Sequence, residues 1–463
     1  MKIYNSLTRQ KEEFKPLEEN KVKMYACGIT VSGKAHIGHA IQAMVFDIIR
    51  KYLEKKGYKV TYARNYTDVD DKIIANALKL NVNAMDFAKE NMQAIDLSMQ
   101  KLGVDKPTME LKATETIPQI IEFIEKLIEK GYAYSTSEGD VYYDVKKFKE
   151  YGKLSHRNLE DTLDGVRVDL LENKHSPLDF ALWKSAKPNE IYWESPWGKG
   201  RPGWHIECSA MNYYNLGEQI DIHGGGRDLL FPHHENEIAQ TEALTGKQFA
   251  SFWIHNGLVK INGQKMSKSL GNSIFLDDLL DKYDSEVIRF ALLQTNYKND
   301  INIVDGLFDE AEKQLTNFYQ IIKKVEDKFG KTDKVTMSID EDFNKSMDDD
   351  FNTSKAISNL FGYFKTINQK FNNNDAQSLE DVNAIRNTYK LLGLFKKDAD
   401  DFIKSVNDKN SGNIPQEILD LANSRWLAKQ AKDFKKADEL RQELIIKGYN
   451  IKDNKDGYEI VKI

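Results

Sequence analysis

Between Lys21 and Ala63 the chain spells out a strand, a loop, an amphipathic helix and a second strand. This pattern restricts the fold more than any other feature. The segment KVKMYAC, residues 21–27, is a short apolar run that stops at Gly28. After a polar loop, Ile41, Met44, Val45, Ile48, Ile49 and Tyr52 recur at spacings of three and four, which is one face of a helix. Gly57 stands where a helix closes on a left-handed residue. KVTYA, residues 59–63, is the next strand. A strand, helix and strand of this kind open a doubly wound α/β domain, whose ligands bind at the carboxyl ends of its parallel strands. The loop of residues 28–39 lies at such an end.

The rest of the chain builds on that unit. From residue 111 an insertion begins, with a helix whose apolar face is Ile117, Ile120, Ile121, Ile124, Leu127 and Ile128 and a β-ribbon around Gly139. The α/β pattern resumes near residue 200, where strand-like Gln219–Ile222 runs into Gly224-Gly225-Gly226. A further strand, Gly257–Ile261, meets Asn262-Gly263, a tight-turn signal. Beyond residue 310 long charged amphipathic segments predict a helical bundle, and Asn407–Pro415 reads as a linker to a last helix and hairpin. At 463 residues the chain is too long for one core. It has no apolar run of 18 residues, so no membrane span is expected. The N-terminus does not read as a signal peptide, so the expected compartment is the cytoplasm. The net charge of −6 excludes a uniformly basic coat but leaves room for a local basic patch.

Three groups of residues carry chemistry. The first is Ala35-His36-Ile37-Gly38-His39, after a strand and at the opening of the helix. Free N–H groups at a helix start suit phosphates, and two imidazoles add donors for a developing charge. The bland alternative is a helix start with two surface histidines. The second is Lys265-Met266-Ser267-Lys268-Ser269, just after the Asn-Gly turn. Two lysines on a loop can neutralise a leaving pyrophosphate, or they can simply be solvated. The third is Cys27, Cys208, His233 and Glu237, a plausible zinc set of two thiolates, one imidazole and one carboxylate. His233 and Glu237 share a helix face at i and i+4, and Pro232 suits the first turn of that helix. The spacing matches no standard zinc finger. His223, His234 and Glu235 are competing ligands, and two buried free thiols are the alternative for the cysteines.

The first two motifs, in this order and over two hundred residues apart, resemble the class I aminoacyl-tRNA synthetases. The segments CGIT, NYTDVDDK, RPGWHIECSAM, DIHGGGRDLLFPHHENEIAQ, KMSKSLGN and MDDDFNTSKAISNLF are similar to the cysteinyl-tRNA synthetase family, over essentially the whole chain. The resemblance implies ATP-dependent activation of L-cysteine and its transfer to the 3′-terminal adenosine of tRNA(Cys). It implies a zinc ion held by Cys27, Cys208, His233 and Glu237 that takes the substrate thiolate, and magnesium on the ATP phosphates. His36, His39, Asp228 and Lys268 would bind ATP, with His36, His39, Lys265 and Lys268 catalytic; Thr67, Trp204 and His223 would line the cysteine pocket. The chain departs from the family pattern at Ile29, Ser32 and Ile41, and near Tyr458.

The same resemblance implies an α/β architecture with a Rossmann-like, doubly wound parallel-sheet catalytic domain that carries an insertion. An α-helical bundle on the anticodon side and a small α+β C-terminal domain follow. The expected borders are 1–110 and 200–256 for the catalytic halves, with 111–199 the connective insertion. Residues 257–310 form the stem-contact region bearing the second motif, 311–405 the helical tRNA-binding domain and 413–463 the C-terminal domain. A monomer is expected. A related ligase that joins cysteine to a small amine would share zinc, ATP and both motifs, but has less use for the residues beyond 310. A zinc hydrolase would need H-E-x-x-H, and the order here is H-H-E-N-E. An inactive RNA-binding paralogue would not need His36, His39, Lys265 and Lys268 intact.

Overall fold

The computed structural model describes all residues except 158–173, 189, 268–269, 413, 455–456 and 463. Its centre is a five-stranded sheet. Strand β1 (Lys21–Thr30) leads through α1 (Ile37–Lys55) to β2 (Lys59–Thr67), and β3 (Met109–Lys112) follows. Later in the chain come α2 (Trp204–Leu216), β4 (Ile220–Gly226), α3 (Glu235–Thr245) and β5 (Ala250–Asn256). The order is β5-β4-β1-β2-β3, and every pairing is parallel. The sheet grows one way from β1 and the other way from β4. These two strands pair with Tyr25 opposite His223 and Ala26 opposite Gly224. Their carboxyl ends therefore flank the switch point where doubly wound sheets bind ligands.

The expected strand–helix–strand unit forms, with longer elements than the apolar pattern marked. All six residues of the predicted helix face are buried, and Gly57 takes φ +94° just past the end of α1. Between β1 and β2 the register slips from Ala26 to Ile29. Gly28 sits in that irregularity, and a Cβ there would stand 1.5 Å from the Asn65 carbonyl oxygen. Only glycine fits so close an approach, which lets β1 carry Cys27 into the end of the sheet.

The insertion contains the helix Ile117–Glu129 and an antiparallel sheet of strands 133–135, 141–143, 180–185 and 200–202. Phe123, Ile124 and Trp183 pack there with Ile206 of α2 and Ala239 of α3 in one core. Strand Val259–Ile261 turns back into Gln264–Lys265 through Asn262 and Gly263, at φ +48° and +84°. Helices Leu307–Phe329, Met337–Asp348, Thr353–Asn372 and Gln377–Tyr389 form the bundle.

The chain divides into two compact units, residues 1–280 with 285–396 and residues 281–284 with 397–463. The second has its own core of Ile418, Ala422, Leu444, Tyr449 and Ile451, under helices 416–430 and 434–446 and a hairpin of strands 449–454 and 457–462. The run expected as a linker is largely helical instead: Ala399–Gly412 is one helix, and the Lys409 ammonium reaches the carbonyls of Asp281 and Tyr283. Its polar composition did not prevent a helix over residues 399–412; residue 413 of the expected linker lies outside the described residues. No helix among the described residues is long and apolar enough to cross a membrane.

Candidate active site and metal centre

Cys27 lies near the end of β1, Cys208 in the first turns of α2, and His233 and Glu237 at the entry to α3. All four are buried. Cys27 Sγ stands 3.6 Å from Cys208 Sγ, 3.5 Å from His233 Nε2 and 3.1 Å from Glu237 Oε1, and His233 Nε2 lies 3.0 Å from the same oxygen. Tetrahedral zinc with bonds of about 2.0–2.3 Å has ligand–ligand edges of about 3.3–3.8 Å. The four donors are packed at nearly that spacing, so the set fits the metal. A second set, Cys27, His223, His234 and Glu237, overlaps the first. It is looser: His234 Nε2 lies 4.0 Å from Glu237 Oε1.

The local fold differs from the expected one at Pro232. Helix α3 begins only at Glu235, and residues 230–234 form a separate kinked turn in which Phe231 is extended, at φ −141° and ψ 131°. His233 thus precedes the helix, yet still faces Glu237.

The four side chains shift one another's proton affinities strongly. Burial, Cys208 and Glu237 push the Cys27 thiol well up. The hydrogen bond from Cys27 brings Cys208 down to about 6. Burial alone would lower His233, but the Glu237 carboxylate and Cys208 outweigh it and raise it to about 10. Burial would raise Glu237, but His223 and His233 hold it well below the usual carboxylate range. Negative charge concentrated in a dry site is stabilised by proton or metal.

An outer layer of side chains fixes these donors. His223 Nε2–H donates to Glu237 Oε2 at 2.7 Å, behind the carboxylate and fully buried. His205 Nδ1 lies 2.9 Å from His233 Nδ1. Trp204 is partly exposed and stacks on His233, with ring centres 4.3 Å apart. Thr67, at the end of β2, donates its hydroxyl to Glu207 Oε2 at 3.0 Å, one residue before Cys208. His205 and Glu207 escaped the sequence reading, although both lie in the segment RPGWHIECSAM that carries Trp204 and Cys208.

The two histidine- and lysine-bearing motifs come together at the start of α1. His36 and His39 stack with ring centres 3.6 Å apart, and the His36 N–H approaches His39 Nδ1 at 3.4 Å. A Cβ on Gly38 would be 3.1 Å from the His36 ring and 3.6 Å from Met266 Cε, so the second motif lies against the first. The chain beyond it is tied back as well: Ile37 N–H donates to the Ile274 carbonyl at 2.9 Å and Leu276 N–H to that of Ala35 at 2.9 Å. Lys265 is exposed at the end of its strand. Lys268 lies outside the described residues. Asp228 is exposed just past the three glycines, and a Cβ on Gly226 would be 2.5 Å from its Oδ1 and 3.8 Å from Gln42 Oε1. Gln42 also donates to the Cys27 carbonyl, so one side chain of α1 links the backbone at Cys27 to the neighbourhood of Gly226. It is a further residue that the sequence did not single out.

Residues 13–313 match the family described as tRNA synthetases class I (C) catalytic domain, and residues 342–396 match the DALR domain. The chain is 46% identical to the cysteine–tRNA ligase of Thermodesulfovibrio yellowstonii, over 98% of each chain. It is 45% identical to that of Caldicellulosiruptor saccharolyticus over 100% of each. Among solved structures, the fold is similar to methionyl-tRNA synthetase of Mycobacterium tuberculosis, at a TM-score of 0.60 and 12% identity over 83% of this chain and 93% of that one. A putative arginyl-tRNA synthetase of Campylobacter jejuni gives 0.55 at 14% identity, over 83% and 95%. Parallel sheet, motif pair and full-length identity together place this chain in the cysteinyl-tRNA synthetase family of class I aminoacyl-tRNA synthetases.

Proposed function

We propose that this cysteine–tRNA ligase selects L-cysteine with a zinc ion held by Cys27, Cys208, His233 and Glu237, and activates it with ATP at the site formed by His36, His39, Lys265 and Lys268. The observation that carries the reading is the buried cluster of four donors at the switch point of the sheet. Cysteine and serine are nearly isosteric, and a pocket that reads shape alone separates such pairs only modestly. A zinc ion bound there would supply a Lewis acid that takes a thiolate far better than a hydroxyl. Trp204, Thr67 and His223 would line the pocket around the cysteine, and His223 would also hold Glu237 in place.

The cysteine carboxylate attacks the α-phosphate of ATP and pyrophosphate leaves. The His36 and His39 imidazoles would position the phosphates, and Lys265 and Lys268 would neutralise the charge that builds on the leaving group. Asp228 would hold the adenosine, and magnesium would accompany the phosphates. The 3′-terminal hydroxyl of tRNA(Cys) then attacks the adenylate and AMP leaves. Residues 1–110 and 200–256 would supply the two catalytic halves, 111–199 the connective insertion and 257–310 the stem-contact region. Residues 311–405 and 413–463 would hold the tRNA, and the chain would act as a monomer in the cytoplasm.

The test is amino-acid-dependent exchange of labelled pyrophosphate into ATP across all amino acids, with zinc quantified in the same sample. The expected result is exchange with cysteine alone at about one zinc per chain, followed by transfer to tRNA when it is added. Full exchange by zinc-free protein would overturn the metal assignment.

A further inference from the structure

We infer that Asp348-Asp349-Asp350 is a positioning joint for the activation step, through which the helical bundle sets the register of the elements that carry both nucleotide motifs. The inference rests on reading those motifs as the ATP site. The three carboxylates follow one another where helix Met337–Asp348 meets helix Thr353–Asn372, and between them they reach α1, the N-terminal hairpin and the segment behind Lys265.

Asp348 grips the far end of α1: Tyr52 Oη donates to its Oδ1 at 2.8 Å, and Lys56 Nζ reaches its Oδ2 at 3.1 Å. Tyr52 is fully buried and also packs edge-on against Phe351, with ring centres 6.2 Å apart. α1 is a continuous rod, so fixing Tyr52 fixes His36 and His39 at its other end, about 20–24 Å away at 1.5 Å per residue.

Asp350 is buried, and it grips two elements at once. Its Oδ1 accepts from the Tyr4 N–H at 2.8 Å and from Tyr297 Oη at 2.8 Å, and its Oδ2 pairs with Lys298 Nζ at 2.5 Å. Residues 297–300 back the strand that runs into the second motif. Gly257 N–H donates to the Tyr297 carbonyl at 2.7 Å and Leu258 N–H to Asp300 Oδ1 at 3.1 Å, and Lys260 of that strand pairs with Lys265. The strand of Tyr4 continues to Asn5, which accepts from Trp253 N–H of β5 at 3.0 Å. Asp349 adds an exposed pair to Lys11 at 2.6 Å, a contact that contributes little by itself.

Three neighbouring carboxylates can point three ways because Asp350 and Phe351 both take left-handed backbone, at φ +65° and +50°. Residues with a Cβ rarely do so, and two in succession persist where surrounding contacts over-determine them. A turn that only joined two helices would need neither this backbone nor partners on α1, the N-terminal strand and the segment behind Lys265.

The test compares Asp348→Asn, Asp350→Asn, Tyr52→Phe and Tyr297→Phe in the full chain. Two readouts are used: cysteine-dependent pyrophosphate exchange, and hydrogen exchange of the amides of residues 36–45 and 257–267. The expected result is a fall in kcat of roughly 10- to 100-fold in the Asn variants, from small misplacement of the reacting groups. The KM for cysteine and the zinc content stay unchanged, and amide exchange quickens at both motifs. Asp348→Asn and Tyr52→Phe should be non-additive, since they break one contact. A merely structural role would lower the melting temperature and leave kcat per folded, zinc-loaded molecule within about twofold of the unaltered chain; that result, with unchanged amide protection at the motifs, overturns the inference. The Phe variants lose one hydroxyl each and keep the test open if an Asn variant does not fold. The amide readout reports on the joint even in a chain inactive with every amino acid, a result that would count against the functional reading alone.

Discussion

His233 Nδ1 lies 2.9 Å from His205 Nδ1, so the outer nitrogen of this proposed metal ligand already has a partner. If Nε2 of His233 faces the metal, Nδ1 carries the proton and donates it to His205. His205 must then accept, as the neutral tautomer protonated at Nε2, and burial supports this by holding its pKa well down. Partners of this kind fix ring orientation and typically contribute 10- to 100-fold in metal affinity. His205→Phe should therefore weaken zinc binding by roughly that factor, as measured by competition with a chelator. Unchanged affinity would remove His205 from the metal's support.

Metal binding should release protons. In the metal-free cluster Cys27 is pushed up as a thiol and His233 is raised to about 10, while Cys208 sits near 6 and Glu237 is held down. At pH 7.5 the two groups that must lose a proton to ligate are Cys27 and His233. Zinc loading should thus release about two protons per ion, and apparent affinity should climb with pH through the neutral range. Titration calorimetry in buffers of different ionisation enthalpy counts them; release near zero would mean that a different donor set binds.

How much of this could be read in advance depended on whether the signal was local. Ile41 to Tyr52 announced α1 because burial of one helix face writes itself at spacings of three and four. Asn262-Gly263 announced its turn because both residues must adopt positive φ. The proposed metal cluster has no such signature: Cys27 and Cys208 are 181 positions apart, and only the β1–β4 pairing and the packing of α2 bring them to 3.6 Å. The motif residues alone left His223, His234 and Glu235 open as ligands; resemblance to a family narrowed the choice. His205, Glu207 and Gln42 stayed invisible because they act on other parts of the site: His205 and Glu207 on the His233 and Thr67 side chains, Gln42 on the Cys27 carbonyl. Asn407–Gly412 misled because a polar helix and a linker share the same composition.

Acid should destabilise the fold through its buried imidazoles. Burial, with His223 and Arg227 nearby, lowers the His255 pKa from 6.5 to about 3, and the ring bridges Ser6 Oγ and His234 Nδ1 at 2.8 Å each. Above pH 6.5 His255 is neutral folded or unfolded and stability is independent of it. As pH falls from 6.5 toward 3, the unfolded chain takes up a proton that the folded chain refuses, so stability is lost, by up to about 1.4 kcal/mol per pH unit for this group. Urea unfolding of zinc-loaded protein at pH 7.5, 6 and 5 should show the decline, and His255→Phe should flatten it. Parallel slopes in the two proteins would exclude His255 as a source.

Two substitutions should separate the proposed thiol-reading cluster from the phosphate site. Cys208→Ser exchanges a soft, strongly ligating sulfur for a hydroxyl that zinc holds far less well, at a position with no solvent to compensate. Zinc content and cysteine-dependent exchange should fall together, and added zinc should restore both in part. Lys265→Ala removes a cation from an exposed strand end that no donor of the cluster touches. Zinc content and the KM for cysteine should remain, while kcat falls by roughly 10²- to 10³-fold, the usual loss when one donor to a developing charge is removed. The pair is informative because the effects run in opposite columns: metal and substrate binding for one, turnover for the other. If Lys265→Ala also lost zinc, or Cys208→Ser kept it with normal exchange, the division of labour between the switch-point cluster and the start of α1 would be wrong.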